Sequence, residues 1–286
     1  MSARFSEQPD HRGAHVGRVH GLCGTSVRRK QDDADTIGGR RAVRPGLGRW
    51  RPTELGGQAV PSGVRQCLAG ANCGACGFPG CDACAEAIVK GEAAPNCCAP
   101  AGVTGAQAIG KVMGVDAVQV TPMIARVLCN GTIGVANDRY TYDGYTSCRV
   151  AAGIAGGPKE CRFACIGLGD CIEHCAFGAI SIRGGIARID EKRCMACGAC
   201  VGACPRSVIQ MLPISSNVIV QCRNTDPAKK ARDACMRACI GCGRCVKVCK
   251  VGAIEVVDGV AKIDYTKCTL CGDCAQICPC KCIKVI

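Results

Sequence analysis

The sequence predicts an α+β protein that consists of a small N-terminal domain followed by two tandem copies of a second small domain. Cysteine makes up 30 of the 286 residues, a share typical of chains held together by metal clusters or disulfides. A shift of 74 residues superimposes the cysteines of one C-terminal segment on those of the next, which indicates a duplicated unit. A glycine-rich cysteine segment of different spacing precedes both copies.

The second copy contains two cysteine runs of nearly ideal spacing, Cys239-x2-Cys242-x2-Cys245-x3-Cys249 and Cys268-x2-Cys271-x2-Cys274-x3-Cys278-Pro279. In such a run the first three thiolates wrap around one 4Fe–4S cubane, and the fourth ligates the other cluster of the pair. The runs therefore predict two clusters. Their ligands are Cys239, Cys242, Cys245 and Cys278 for one, and Cys249, Cys268, Cys271 and Cys274 for the other.

The first copy departs from this pattern at one position. One of its clusters has a complete predicted set, Cys175, Cys194, Cys197 and Cys200. The other run has Leu168 where the second copy has Cys242, so it lacks a ligand. We expect Cys161 to replace the missing ligand, which makes the set Cys161, Cys165, Cys171 and Cys204. A three-iron cluster and completion by Cys148 are the alternatives.

A hairpin pattern lies between the two cysteine runs of each copy. Segments 179–182 and 186–189 flank Gly184-Gly185 in the first copy, and segments 253–257 and 260–263 flank Asp258-Gly259 in the second. Two-residue connections of this type are typical of tight β-hairpins. Short strands, short helices and two cubanes in place of a large apolar core indicate a bacterial-ferredoxin-like fold. We therefore expect two such domains in tandem, each with two 4Fe–4S clusters.

The N-terminal cysteine segment reads GANCGACGFPGC over residues 70–81 and has the spacing Cys73-x2-Cys76-x4-Cys81. Cys98 follows after sixteen intervening residues. The glycines allow backbone N–H groups to approach the sulfurs, which helps to set a cluster's potential. We expect Cys73, Cys76, Cys81 and Cys98 to hold a fifth 4Fe–4S cluster in a small domain of its own, with Cys97 as the competing fourth ligand.

Composition and pattern argue against several other classes of protein. The N-terminus lacks the apolar stretch of a secretory leader, which disfavours a disulfide scaffold, and cysteine triplets at x2 spacing do not suit zinc. The formal charge of +13 is largely offset by twenty ligating thiolates, and aromatic residues, at 3%, are too few to stack on bases. No apolar run approaches the roughly 20 residues that span a bilayer. We expect an electron-transfer protein with no catalytic residues, no directly bound small-molecule substrate and no nucleic-acid partner.

Ten cysteines remain outside the five predicted sets: Cys23, Cys67, Cys84, Cys97, Cys129, Cys148, Cys222, Cys235, Cys280 and Cys282. Cys129 and Cys222 each end a short aliphatic segment. In the 74-residue register Cys148 matches Cys222, and Cys161 matches Cys235. Buried free thiols are the simpler interpretation, because cysteine packs as a small apolar residue. The alternative is a sixth cluster held by Cys129, Cys148, Cys222 and Cys235.

From about Gly70 onward the chain resembles the B subunit of the Rnf ion-translocating ferredoxin:NAD oxidoreductase family, in its longer, anaerobe-type form. The resemblance rests on GANCGACGFPGC with the later CAPAG, and on VLCNG, AGGPKEC, CIGLGDC, CIGCGRCVKVC and CPCKCI in the same order. It implies a non-catalytic iron–sulfur subunit that accepts electrons from reduced ferredoxin and relays them to other Rnf subunits at the cytoplasmic face of the cell membrane. The alternative is a soluble polyferredoxin subunit of another cytoplasmic oxidoreductase, such as a hydrogenase or dehydrogenase.

These patterns divide the chain into five segments. We expect residues 1–66 to be a disordered or non-homologous segment, because they are rich in Arg and Gly and show no periodicity. They also lack the hydrophobic anchor with which this subunit family usually begins, so we expect a peripheral attachment to the membrane. The remaining segments are the N-terminal cluster domain (67–105), a connecting region (106–158) and the two ferredoxin-like domains (159–212 and 213–286).

Overall fold

The computed structural model describes residues 59–115 and 120–286 of the chain. The first of these parts is a small helical domain. It consists of α1 (Ala59–Cys67), α2 (Cys81–Val89) and α3 (Gly102–Met113), with a short 3-10 helix, Ala99–Ala101, before α3. Val64, Ile88 and Ile109 are almost completely buried in one apolar cluster, which holds the three helices together.

The next domain contains two small antiparallel sheets and three short helices. Its elements are β1 (Met123–Val127), α4 (Cys148–Gly153), α5 (Asp170–Glu173), β2 (Ile180–Arg183), β3 (Ile186–Ile189), α6 (Ala199–Ala203) and β4 (Ile209–Pro213). Strands β2 and β3 pair as a hairpin, in which Ile180 faces Ile189. Strands β1 and β4 pair as the second sheet, in which Val127 faces Ile209.

The last domain repeats this architecture. Its elements are β5 (Val218–Val220), α7 (Ala228–Ala234), α8 (Arg244–Val248), β6 (Ile254–Val257), β7 (Val260–Ile263), α9 (Asp273–Ile277) and β8 (Ile283–Val285). Strands β6 and β7 pair as a hairpin, and β5 pairs with β8. Asp258 and Gly259 at the hairpin turn both have positive φ, of 52° and 77°, as a type I′ turn requires. The structure thus contains both hairpins that the sequence predicts.

Cysteine sulfurs and small aliphatic side chains form the cores of the two ferredoxin-like domains. In the first domain Cys165, Cys171 and Cys200 are buried together with Ile186 and Val208. The second domain has an equivalent core around Cys239, Cys245 and Cys274. Within the part of the chain that the structure describes, no helix is both long and apolar enough to cross a membrane.

Strand pairing shows which cysteines of the two ferredoxin-like domains occupy equivalent positions, and one of these matches differs from the match given by the 74-residue shift. Strand β1 pairs with the last strand of the first domain as β5 pairs with the last strand of the second. Cys129 lies two residues after β1 and Cys222 lies two residues after β5, so these two cysteines are structural counterparts. The register instead matches Cys222 with Cys148. Cys148 lies in the segment between Cys129 and Cys161, which has 31 residues. The corresponding segment of the second domain, between Cys222 and Cys235, has only 12 residues.

Several predicted segment boundaries need correction. Helix α1 begins at Ala59, inside the segment 1–66 that was expected to lack structure, while residues 1–58 lie outside the described residues. Helix α3 continues to Met113 and packs on α1, so the N-terminal domain extends beyond residue 105. Strand β1 and helix α4 both fall in the predicted connecting region, 106–158, yet β1 is a sheet strand of the first ferredoxin-like domain. Cysteine spacing could not reveal these elements, because apolar contacts define them.

Candidate iron–sulfur sites

Four predicted ligands of the second domain line one small cavity, which we call site 2A. They are Cys239, Cys242, Cys245 and Cys278. Cys245 lies in α8, which begins after Gly243 with a φ of 69°, and Cys278 ends α9. The Sγ of Cys239 accepts a hydrogen bond from the backbone N–H of Ala261 at 3.5 Å. Backbone N–H donors of this kind stabilise a thiolate that is bound to a cluster.

The four other predicted ligands of this domain line a second cavity, site 2B. They are Cys249, Cys268, Cys271 and Cys274. Cys249 caps the C-terminus of α8, so this five-residue helix carries one ligand of each site, Cys245 at site 2A and Cys249 at site 2B. The Sγ of Cys249 accepts a hydrogen bond from the N–H of Ala253 at 3.3 Å. This crossing of the fourth cysteine is the arrangement that its sequence spacing predicts.

Site 1B of the first domain matches site 2B closely. Its cavity is lined by the predicted set Cys175, Cys194, Cys197 and Cys200. The N–H of Ala179 donates to the Sγ of Cys175 at 3.4 Å, as Ala253 does to Cys249 in the second domain. The two domains therefore repeat the hydrogen bonding of these sites as well as their cysteine spacing.

The remaining cavity of the first domain, site 1A, differs from the predicted ligand set. It is lined by Cys148, Cys165, Cys171 and Cys204. Cys161, which we expected to replace the ligand missing at Leu168, does not line this cavity. Cys148 lines it instead, from the start of α4, as the alternative prediction has it. The longer segment between β1 and the cysteine run therefore brings a cysteine to the position where the second domain uses Cys242.

A buried carboxylate holds the helix that carries Cys148. Asp170 accepts hydrogen bonds from the backbone N–H groups of Cys148 and Arg149, at 2.7 and 3.0 Å, and from the hydroxyl of Ser147 at 3.1 Å. Burial acts to raise the pKa of Asp170, but these hydrogen bonds outweigh it, and the pKa lies below its ordinary value. Asp170, the first residue of α5, thus acts as an N-terminal cap for α4 and lies next to Cys171.

The N-terminal domain places its predicted ligands around the loop before α2. Cys81 begins α2, and its backbone N–H donates to the side chain of Asn72 at 2.9 Å. Cys98 precedes the 3-10 helix and is buried, whereas Cys73 and Cys76 are half-buried. The competing residue Cys97 has its Sγ 3.5 Å from that of Cys84 in the core face of α2. These two sulfurs are neighbours that the sequence spacing did not indicate.

The described cysteine sets fit 4Fe–4S clusters on chemical grounds. Burial, followed by neighbouring thiolates, raises the pKa of Cys171 to about 12, and burial raises that of Cys274 to about 11. Buried thiols that repel one another when charged are stabilised by a cationic metal core that takes the place of their protons. Among the described residues no three His, Cys, Asp or Glu side chains surround a single ion. A cubane instead binds each thiolate through a separate iron, so its ligands line the wall of a cavity.

Other cysteines lie beside these sites. Cys280 and Cys282 line the cavity of site 2A, and the Sγ of Cys282 is 3.5 Å from that of Cys278. Cys129, Cys161, Cys222 and Cys235 lie near one another between the two ferredoxin-like domains, and this group is described further below. It differs from the sixth set weighed from the sequence, because Cys161 takes the place of Cys148. Cys23 lies outside the described residues.

Comparison with known protein families and proteins supports the same organisation. Residues 68–100 match a family model described as a putative Fe-S cluster. Residues 164–208 and 238–282 each match a model described as a 4Fe-4S dicluster domain. These matches confirm the N-terminal iron–sulfur domain, the two tandem dicluster domains and the presence of several 4Fe–4S clusters.

Three relatives match most of the chain. The B subunit of the Na(+)-translocating ferredoxin:NAD(+) oxidoreductase complex of Acetobacterium woodii is 46% identical over 221 residues, 77% of this chain and 66% of that protein. The B subunit of the ion-translocating oxidoreductase complex of Methanosarcina acetivorans is 40% identical, over 78% of this chain and 84% of that protein. The chain belongs to the B-subunit family of Rnf-type ion-translocating oxidoreductase complexes. A third member of this family, from the proton-translocating ferredoxin:NAD(+) oxidoreductase complex of Clostridium ljungdahlii, is 38% identical, over 72% of this chain and 73% of that protein.

Membership of the B-subunit family and the dicluster domains together make the chain an iron–sulfur electron-transfer protein. Each of the three relatives is, by its name, a subunit of a complex. The chain spans 66% of the length of the Acetobacterium woodii protein.

Proposed function

We propose that the chain is the electron-transfer subunit of a membrane-bound ferredoxin:NAD oxidoreductase complex of the Rnf type. It accepts electrons from reduced ferredoxin and passes them to other subunits of the complex, at the cytoplasmic face of the membrane. The single observation that carries this proposal is the gathering of cysteines into sets of four around separate cavities. The 4Fe–4S clusters that such sets bind would each carry one electron at a time.

Four of the proposed ligand sets follow the cavities of the structure, with one change from the sequence prediction, and the N-terminal set follows the sequence spacing. They are Cys73, Cys76, Cys81 and Cys98 in the N-terminal domain; Cys148, Cys165, Cys171 and Cys204 at site 1A; Cys175, Cys194, Cys197 and Cys200 at site 1B; Cys239, Cys242, Cys245 and Cys278 at site 2A; and Cys249, Cys268, Cys271 and Cys274 at site 2B. In this proposal Cys161 is not a ligand of site 1A.

Neighbouring sets are close enough to influence one another electrostatically. The negative charge of Cys200 in site 1B raises the pKa of Cys171 in site 1A, after the larger effect of burial. In the same way, Cys245 in site 2A raises the pKa of Cys274 in site 2B. Cys73 of the N-terminal domain raises the pKa of Cys197 in site 1B. This proximity supports electron transfer between sites along the chain.

Charge favours the second ferredoxin-like domain as the place where an acidic ferredoxin docks. Residues 213–286 contain twelve Lys and Arg against six Asp and Glu, whereas residues 159–212 contain seven against five. Complementary charge steers the encounter of redox partners and is weakened by salt. Cys242 and Cys271, at sites 2A and 2B, are also exposed. Electrons can therefore enter where the ligands lie nearest to the surface.

A test of the ligand sets uses the full chain, reconstituted with iron and sulfide under anaerobic conditions. Removing one ligand of four converts a cubane to a three-iron cluster or releases it. Cys148→Ala should therefore produce a three-iron EPR signal on oxidation, while Cys84→Ala serves as the matched buried-cysteine control. Unchanged iron content and EPR spectra in Cys148→Ala would reject the assignment of site 1A.

The partner and the location are tested separately. The reconstituted chain should be reduced by reduced ferredoxin at a rate that falls as salt is added, and it should form no NADH, because a cubane cannot deliver a hydride. Co-expression with the other complex subunits should move the chain to the membrane fraction. Recovery in the soluble fraction in their presence would favour a subunit of a different oxidoreductase.

A further inference from the structure

Four buried or half-buried cysteines have no place in the five sets proposed above. Cys129, Cys161 and Cys235 are buried, and Cys222 is half-buried. All four lie outside residues 68–100, 164–208 and 238–282, which match the iron–sulfur family models. Two of them come from the part of the chain before the first cysteine run and two from the part before the second. The fold nevertheless brings them together.

Two neighbouring residues each contact a pair of these sulfurs. Asn224 donates its side-chain amide to the Sγ of Cys161 at 3.4 Å and its backbone N–H to the Sγ of Cys222 at 3.5 Å. A Cβ atom placed on Gly131 would lie 3.6 Å from the Sγ of Cys129 and 3.7 Å from the Sγ of Cys235. We call Cys161 with Cys222 one pair and Cys129 with Cys235 the other, because each pair shares one neighbouring residue, Asn224 or Gly131.

Electrostatic interactions connect the two pairs. Burial, followed by the negative charges of Cys129 and Cys235, raises the pKa of Cys161 to about 11. Burial, followed by the negative charges of Cys239 and Cys161, raises the pKa of Cys222 to about 12. The charge of Cys161 therefore interacts with the charges of all three other cysteines. Deprotonating them together without a cation would be unfavourable.

Each sulfur also accepts a hydrogen bond from the backbone N–H two residues further along the chain. The N–H of Gly131 donates to Cys129 at 3.4 Å, and that of Asn224 donates to Cys222 at 3.5 Å. Backbone hydrogen bonds from Phe163 and Arg237 lower the pKa of Cys161 and Cys235 in the same manner, against the larger effect of burial. Such N–H donors stabilise thiolates bound to iron–sulfur clusters.

The surroundings contain donors and positive charge that a bound anionic cluster would use. Asn130, next to Cys129, is buried, and its side-chain nitrogen has no hydrogen-bond partner within the described residues. Lys159 is 5% exposed and lowers the pKa of Cys235 by its charge. Four thiolates around an oxidised 4Fe–4S core have a net charge of about −2, so a nearby buried cation is favourable.

We infer that Cys129, Cys161, Cys222 and Cys235 bind a sixth 4Fe–4S cluster, which we call the bridging site. The set has structural symmetry, because Cys129 follows β1 as Cys222 follows β5, and Cys161 corresponds to Cys235 in the 74-residue register. Each ferredoxin-like domain therefore supplies two ligands from equivalent positions. One cluster is shared by the two copies.

The bridging site connects the two domains for electron transfer. The N–H of Cys165, a ligand of site 1A, donates to the Sγ of Cys129 at 3.4 Å, and the N–H of Cys239, a ligand of site 2A, donates to the Sγ of Cys222 at 3.2 Å. Together with the electrostatic neighbours described above, these contacts place the sites in the order N-terminal, 1B, 1A, bridging, 2A and 2B. This role rests on the proposed electron-transfer function, whereas the metal site itself does not.

Metal content tests the bridging site in the full chain after anaerobic reconstitution. Native mass spectrometry and iron and sulfide analysis should give about 24 iron per chain, four for each of six cubanes. The double variants Cys161→Ala/Cys222→Ala and Cys129→Ala/Cys235→Ala should each lose one cluster and retain about 20 iron. Because both remove the same cluster, the quadruple variant should also retain about 20 iron. The control variant Cys84→Ala, at a buried cysteine outside all the proposed sets, should keep the full complement.

Iron content tests the bridging site, whereas electron transfer from ferredoxin tests the proposed function, so the two can fail independently. About 20 iron in the wild-type chain, measured without any substitution, would overturn the bridging site. Additive losses in the quadruple variant would overturn it as well, because they would mean that the pairs serve different clusters. A wild-type chain that binds about 20 iron and still accepts electrons from ferredoxin would retain the proposed function alone. A chain that binds six clusters but accepts no electrons would retain the bridging site alone.

Discussion

Arg206 in the first ferredoxin-like domain occupies the position of Cys280 in the second, 74 residues later, and the two residues line corresponding cavities. Arg206 lines site 1A and donates a hydrogen bond to the carbonyl of Gly156. Its Nε is buried without a hydrogen-bond partner in the described part of the chain. Burial lowers the pKa of Arg206, and the thiolates of Cys161 and Cys204 act in the opposite direction. Site 1A therefore has a partly buried cation that site 2A lacks at this position.

Arg206 is predicted to raise the reduction potential of the cluster at site 1A. A nearby cation stabilises the extra negative charge of a reduced cluster. Arg206→Met should lower the potential of one cluster by roughly 60 mV, a tenfold change in the equilibrium for one electron. Arg206→Lys should retain most of the effect. An EPR-monitored redox titration measures the shift, and equal potentials in the Met variant and the wild type would contradict the prediction.

Asp170 is predicted to hold Cys148 in place at site 1A. In Asp170→Ala the backbone N–H groups of Cys148 and Arg149 lose their acceptor, at a cost of about 1–3 kcal/mol. The reconstituted variant should show a three-iron EPR signal or lose one cluster, and Asp170→Asn should show a smaller effect because it keeps one acceptor oxygen. Asp258→Asn in the exposed turn between β6 and β7 makes the same change of charge and should bind iron as the wild type does. A full complement of cubanes in Asp170→Ala would argue against this role.

Gly131 is predicted to tolerate no side chain. A Cβ at this position would lie 2.9 Å from the Cβ of Ala136, as well as in contact with the sulfurs of Cys129 and Cys235. Gly131→Ala should therefore displace the loop after β1 and destabilise the chain by about 1–3 kcal/mol. The control Gly153→Ala, at the end of α4, adds a Cβ with no heavy atom within 4 Å. Chemical denaturation under anaerobic conditions compares the two variants, and equal stability would refute the prediction.

Tyr265 is predicted to stabilise the second ferredoxin-like domain in a pH-dependent manner. Its hydroxyl donates to the carbonyl of Val218 at 3.0 Å, and burial raises the pKa of Tyr265 to about 12. Tyr265→Phe should lose about 1 kcal/mol. Because the pKa in the folded state exceeds the ordinary value of about 10, this difference should be constant below pH 10 and should vanish as the pH rises towards 12. Denaturation of the reconstituted chain under anaerobic conditions at several pH values measures it, and a difference that persists at pH 12 would disprove the assignment.

Much of the organisation of this protein could be predicted from cysteine spacing. The runs around Cys239 and Cys268 predict two sites, and in the structure their cysteines line the expected cavities. The two-residue turns at Gly184 and Asp258 predict hairpins that the structure contains. These features are local: the ligands of one run lie within a few residues of one another, so spacing along the chain determines their spacing around a cluster.

Cysteine spacing did not decide between Cys161 and Cys148 at site 1A, and the sixth set that it suggested contained Cys148 where the structure has Cys161 beside Cys129, Cys222 and Cys235. Cys148 is seventeen residues before Cys165, and only the cap that Asp170 provides for α4 brings it to the cavity. Cys129 is matched to Cys222 by strand pairing, which the 74-residue register does not detect because the first domain has the longer segment after β1.

The sequence by itself thus determined the iron–sulfur chemistry, the tandem dicluster domains and which cysteines of each run line one cavity, because short-range spacing constrains a thiolate directly. Only the tertiary structure decided which distant cysteines share a cavity. Asn224 contacts Cys161 and Cys222 together, although the two cysteines are 61 residues apart. Long-range contacts of this kind depend on how strands pair and helices pack, and no local pattern of residues specifies them.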